Sequence, residues 1–273
     1  MSKTIFVLLD ACGYQIGTDN LGYLEHLADC GMAAKYMVRG ELPSMSRPMY
    51  DTLMTGVQSH VHGITCNEVI RRSNQENIFS LCKKAGLVTG AAAYSWFSEL
   101  YCRAPFNKYE DRIQLPSKDG LIDYGVYYWD DNYLDSHLFA DGEFIRKTYK
   151  PDFMLYHPMS IDVAGHAFGK DSNEYASAIA SMGYLIAGLI PEWLEAGYQV
   201  VVSADHGMDN KGLHCGTPDA QRNVPLYICS PVVENGHFEE EYVTQRNVAP
   251  LLCKLLGIKA SEGMISPDEI RFK

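Results

Sequence analysis

Paired cysteines are missing from this 273-residue chain. Its eight cysteines (Cys12, Cys30, Cys66, Cys82, Cys102, Cys215, Cys229 and Cys253) are scattered without a CxxC spacing. That reads as reduced thiols rather than a disulfide framework. Positive charge is scarce as well, with 23 Lys and Arg against 34 Asp and Glu and a net charge of -11. A nucleic-acid polymer is thereby excluded as the main partner, because like charge repels it. Small anionic substrates stay open, since bound cations reverse the field locally. Long hydrophobic runs are also lacking. The start, MSKTIFVLLDACGY, holds five apolar residues before Asp10, too few for a signal peptide or a membrane span and suited to a first buried strand. With no other run of membrane length apparent, the expectation is a cytoplasmic protein without a membrane partner. There is no internal repeat and no low-complexity segment.

What is present is an alternation. Short apolar runs, IFVLL (5–9), VTGAAAY (88–94), FMLYH (153–157), YQVVVSA (198–204) and VPLYICS (224–230), are separated by helical patterns near 20–31, 48–55, 75–86, 139–149, 172–195 and 244–257. Continuous apolar strands alternating with helices predict an α/β fold with a mostly parallel central sheet covered by helices on both faces. Residues 1–273 read as one domain. The aromatic, Asp-rich and weakly periodic stretch 97–138 reads as an insertion or cap near the site.

In such sheets working residues gather at the carboxyl ends of the strands. Asp10 ends the first run, Asp205 and His206 end another, and Asp162 and His166 lie just past a third. His214 follows eight residues after His206 in a polar stretch. Adjacent side chains on a strand point to opposite faces, so Asp205 and His206 reach one ion only where the chain leaves the sheet, and Gly207 is expected to permit that turn. Three Asp and three His form an oxygen/nitrogen set that suits Zn²⁺, with Mn²⁺ also compatible. Each signal alone is weak: a lone strand-end Asp is usually a cap or surface residue, and a lone His usually a satisfied structural one. Their convergence on one sheet edge carries the argument. In LPSMSRPMYDTLMTGVQSHVHGITCN (42–67), Ser46 stands just before Pro48 at the start of a helix. It reads either as a plain N-cap or as a group facing an anion held by the helix amino end.

At these residues the chain resembles the alkaline phosphatase superfamily, and within it the nucleotide pyrophosphatase and type I phosphodiesterase branch. The likeness rests on the strand-ending Asp10, Ser46 ten residues before Gly56 of Thr55-Gly56, His62-Gly63-Ile64, Asp162-x-x-x-His166, Ser203 to Met208, and His214. It implies two divalent metal ions, one held by Asp10, Ser46, Asp205 and His206, the other by Asp162, His166 and His214. It also implies that Ser46 is the nucleophile and that Asn67 hydrogen-bonds a phosphate oxygen. The implied activity is hydrolysis of a small phosphodiester or pyrophosphate. Phosphomonoester or phosphonate hydrolysis, phosphotransfer, and a catalytically silent metal-stabilised binding protein stand as alternatives. The chain departs from the branch in having Ser46 where Thr is usual and Arg47 where an aromatic residue is common. Met49 and Tyr50 after Pro48 replace the Ser-Arg of sulfatases, which argues against that chemistry. Arg47 reads as a substrate-anion contact or as a surface residue paired with an acid. The stretch 123–134 reads as a nucleobase-stacking surface or as packing.

Overall fold

A computed structural model describes residues 2–273. Ten strands form one sheet: β1 (Lys3–Leu9), β2 (Ala34–Arg39), β3 (Thr89–Tyr94), β4 (Ile113–Gln114), β5 (Tyr124–Tyr128), β6 (Phe153–Tyr156), β7 (Tyr198–Ala204), β8 (Asn223–Cys229), β9 (Gly236–His237) and β10 (Val243–Thr244). Their order is β10-β2-β8-β7-β1-β6-β3-β5-β4, with β9 also on β2. The centre, β7-β1-β6-β3-β5, is parallel throughout, as continuous apolar strands predict. β8 runs antiparallel to both β2 and β7, and β4 antiparallel to β5. The fold is therefore mixed at its flanks and parallel at its heart, with helices on the faces.

β1 lies between β6 and β7, and its residues Ile5 to Leu9 are wholly buried. This places Asp10, one residue past the strand, between the ends of two parallel neighbours. The helix Asn173–Glu195 buries Tyr175, Ile179, Met182, Ile186, Ile190 and Trp193, a stripe at helical spacing. Fully burying side chains of that size contributes about 1.5–3 kcal/mol each. Contrary to the expectation that no apolar stretch reaches membrane length, this 23-residue helix does so by length and composition, with a third of its apolar window buried.

The stretch 97–138 is joined to the main sheet. It completes the helix Ser95–Tyr101, supplies β4 and β5 to one edge of the central sheet, and begins the helix Asp135–Tyr149. Its weak periodicity reflects short edge strands joined by turns. β2, which had no expectation attached, lies in AAKYMVRG, where Lys35 and Arg39 interrupt the apolar run; Lys35 is nonetheless buried and paired with Glu25 at 2.8 Å.

Candidate active site

The carboxyl ends of β1, β6 and β7 meet the helix Ser46–Thr55 at one place. Asp10 leaves β1 into a left-handed Ala11 (φ 60), a conformation that costs a non-glycine residue about 1–2 kcal/mol. The strained turn aims the Ala11 N–H at Asp205 Oδ1, at 3.0 Å, while the Ala11 carbonyl accepts from the Tyr175 hydroxyl. Asp205 and His206 follow β7 directly, and Asp162 and His166 lie one turn apart on the helix Ser160–Phe168. His214 sits in a loop sewn to the segment before Ser46: Cys215 N donates to Ser44 O at 2.9 Å, and Cys215 is left-handed (φ 86). Backbone strain at two non-glycine positions thus flanks two of the converging residues.

Gly207 is required for a different reason from the one expected. Its backbone is not left-handed; a Cβ there would stand 2.1 Å from the Ala220 carbonyl and 2.9 Å from Gly13 Cα. Close approach of neighbouring backbone demands the glycine.

Each of the three histidines is tethered in the same way. His206 Nδ1 donates to Gly207 O at 3.0 Å, His166 Nδ1 to Gly212 O at 2.8 Å, and His214 Nδ1 to Ser44 O at 3.0 Å. A carbonyl only accepts, so each Nδ1 carries the proton and each Nε2 presents a lone pair inward. Two of those lone pairs, on His166 and His214, face each other at 3.2 Å. His206 Nε2 stands 3.3 Å from Asp205 Oδ2 and 3.5 Å from Asp10 Oδ1, and Ser46 Oγ donates to it at 3.2 Å.

The carboxylates repeat the pattern. Asp205 Oδ1 takes two backbone N–H groups, from Ala11 and from His206 at 2.9 Å, leaving Oδ2 without a partner among the described residues. Asp10 Oδ2 takes the Tyr50 hydroxyl and His157 Nε2, the latter at 3.2 Å, leaving Oδ1 bare. Asp162 Oδ1 is bare too, 3.4 Å from His166 Nε2. Burial first, then the neighbouring Asp205 charge, pushes the Asp10 carboxyl up to about 8. Burial, with Asp162 adding, raises Asp205 to about 8. Burial and Asp10 raise Asp162 to about 7. Burial, with His206 adding, lowers His214 to about 3.

Convergent lone pairs and bare carboxylate oxygens repel one another unless a cation lies between them. Asp10, Asp205 and His206 offer ligand atoms within 4.8 Å of one another, and so do Asp162, His206 and His214. The donor set therefore fits divalent metal. It does not fit a Ser-His-Asp triad, because His206 Nδ1 is bound to a carbonyl rather than to an orienting carboxylate.

Ser46 is the first residue of its helix, and Met45, at the cap position, makes no side-chain cap bond. The plain N-cap reading of Ser46 is thus not realised. Asn67 Oδ1 accepts the Arg47 backbone N–H at 3.0 Å, which fixes the amide beside the helix end that carries Ser46. Arg47 is not a surface residue: it is 1% exposed, paired with Glu99 at 2.7 Å and stacked 4.4 Å from the Trp96 ring centroid. It lines a 700 Å³ cleft with Tyr94, Trp96, Phe106, Lys108 and Trp129. His62 is structural, accepting from Ile64 N at Nδ1 (3.1 Å) and reaching Thr52 Oγ1 (3.0 Å). Tyr50 and His157, the partners of Asp10, are the site residues that sequence reasoning missed. Tyr50 is four residues after Ser46 on one helix face, the one signal that pointed to it.

Residues 4–212 match the family described as type I phosphodiesterase / nucleotide pyrophosphatase. The catalytic subunit of human GPI ethanolamine phosphate transferase 3 is 32% identical over 42% of this chain, and the mouse ectonucleotide pyrophosphatase/phosphodiesterase family member 3 is 25% identical over 68%. The chain spans about a tenth of the length of the former and about a fifth of the latter. Among solved structures, murine ectonucleotide pyrophosphatase / phosphodiesterase 5 superposes with a TM-score of 0.76 at 14% identity, over 98% of this chain and 100% of that one. The phosphonate monoester hydrolase from Silicibacter pomeroyi gives a TM-score of 0.68 at 14% identity, over 97% of this chain and 75% of that one. The chain belongs to the type I phosphodiesterase / nucleotide pyrophosphatase family of the alkaline phosphatase superfamily.

Proposed function

We propose that the protein hydrolyses small phosphodiesters or pyrophosphates through Ser46, beside two divalent ions of which Zn²⁺ suits the donors best and Mn²⁺ is compatible. The observation that carries this reading is the inward set of lone pairs: three Nε2 atoms and three bare carboxylate oxygens beside the Ser46 hydroxyl. Asp10, Asp205, His206 and Ser46 would hold the inner ion, and Asp162, His166 and His214 the outer one. Such ions supply Lewis-acid charge for the reacting oxygens and a lowered hydroxyl pKa.

The chain's own residues do the rest. Ser46 Oγ forms the new bond to phosphorus in line with the departing alcohol or phosphate, giving a phosphoserine that water then cleaves. Asn67, anchored through Oδ1 to the Arg47 amide, turns Nδ2 toward an equatorial phosphoryl oxygen. The aromatic cleft beginning at Arg47 receives the organic part of the substrate. An inactive form of murine ectonucleotide pyrophosphatase / phosphodiesterase 5 is known in complex with AMP, which favours a nucleotide-like group there.

A second reading draws on the GPI ethanolamine phosphate transferases among the relatives: an alcohol replaces water in cleaving the phosphoserine. Rates on bis(p-nitrophenyl) phosphate, p-nitrophenyl phosphate and phosphonoacetate, with Zn²⁺ or Mn²⁺ supplied, test the main reading. The diester should be fastest. A faster monoester or phosphonoacetate would overturn diesterase activity, and phosphate transfer to an added alcohol in preference to water would favour the second.

A further inference from the structure

We propose that Tyr50 and His157 are positioning residues that clamp one oxygen of Asp10 so that the other is held ready for the inner ion. The inference rests on the two-ion reading above and extends it to groups that touch neither substrate nor ion.

Asp10 is wholly buried at the end of β1. Unlike Asp205, whose Oδ1 is fixed by two backbone amides, Asp10 has no backbone donor on its carboxylate among the described residues. Its Oδ2 is held instead by two side chains from different elements, the Tyr50 hydroxyl from the helix Ser46–Thr55 and His157 Nε2 from the end of β6. The two rings pack edge to face with centroids 4.7 Å apart, and Phe97 stacks on Tyr50 at 4.7 Å. Neither donor is therefore free to swing away. The His157 carbonyl accepts the Tyr128 hydroxyl at 2.8 Å and its amide donates to Ala92 O at 3.0 Å, so its backbone is pinned on both sides.

The clamp also couples ion and nucleophile. Ser46 and Tyr50 are one turn apart on one helix, so the element that delivers Oγ to His206 also delivers the hydroxyl to Asp10. Donors that orient a metal ligand typically change metal affinity 10–100-fold when removed. The phenol and the imidazole are both buried, which makes isosteric removal the fair test.

Metal-free wild-type protein, Tyr50→Phe, His157→Phe and His157→Gln would be titrated with Zn²⁺ against a chromophoric chelator, counting ions and fitting each affinity. Tyr101→Phe, which removes another buried tyrosine hydroxyl that bonds Asp51 at 2.9 Å, is the matched control. The expected result is a loss of about 10–100-fold in the affinity of the tighter ion only, for Tyr50→Phe and His157→Phe. His157→Gln, which keeps an N–H donor, should recover part of it, and Tyr101→Phe should change neither ion. Unchanged affinities in Tyr50→Phe and His157→Phe, with two ions in wild type, would overturn the clamp alone. So would an equal loss at both ions, or an equal loss in Tyr101→Phe, since these mark general loosening. Fewer than two ions in wild type would overturn the two-ion reading and the clamp with it.

Discussion

Asp10, Asp205 and His206 expose no side-chain surface, whereas a few ångströms away His166 exposes 46% and Asp162 14% of theirs. The inner group is tied down on every side: two backbone amides on Asp205, two ring donors on Asp10, a carbonyl on His206. The outer group hangs on one helix and one loop, with two histidines each held by a single carbonyl. Two carboxylates in a dry environment outweigh one in a half-wet environment, because charge attracts a cation more strongly where water does not screen it. The difference teaches that the two halves are unequally preorganised: the one around Ser46 is buried and fixed, and the other is open to water.

The largest effect that breaks the comparison lies at the inner half. Ser46→Ala should lower kcat/KM on a diester by at least about 10³-fold while metal analysis still finds both ions; near wild-type turnover would remove Ser46 as nucleophile. At the outer half, His166→Ala removes a direct ligand and should weaken the second ion by more than the roughly 10–100-fold that loss of an orienting partner costs, with activity partly restored by excess metal. A loss that added metal cannot restore would make the outer half as rigid as the inner.

Proton linkage sharpens the same contrast. Burial raises Asp10 and Asp205 to about 8 and Asp162 to about 7 from an ordinary value of 3.8. The metal-free folded protein thus holds protons that the unfolded chain has released, so its stability should fall as pH rises between about 4 and 8. Bound ions displace those protons, and the melting-temperature gain on adding Zn²⁺ should grow over the same window. Melts with and without chelator check this, and a metal-free melting temperature that rose with pH would contradict it. The smallest effect belongs to the cleft, where Trp129→Ala should raise KM for a substrate with an aromatic organic group about 3–10-fold, the worth of one stacked pair, and leave kcat alone.

Strand ends and short motifs were legible because they are local. Asp10 and Asp205/His206 stand where an apolar run stops, Asp162/His166 on the helix just past another and His214 in the polar loop beyond, and the fold brings them to one sheet edge. What escaped was set by packing across the fold. Tyr50 reads as one aromatic in an apolar helix, and His157 as the last residue of a buried strand, until the pairing of β1 with β6 brings His157 to Asp10 and the helix Ser46–Thr55 brings Tyr50 there. Arg47 read as surface or substrate contact because its partner Glu99 lies on a helix 52 positions later. β5 was hidden because its sequence, YGVYY, lies in an aromatic, Asp-rich stretch with no strand periodicity to mark it off from the turns beside it.

The most direct test is a metal titration of metal-free wild-type protein beside Asp205→Asn. The unequal-halves account predicts two ions bound in two separable steps, with the tighter step lost in Asp205→Asn and the weaker one kept. A single ion, two equal steps, or loss of the weaker step in Asp205→Asn would contradict it.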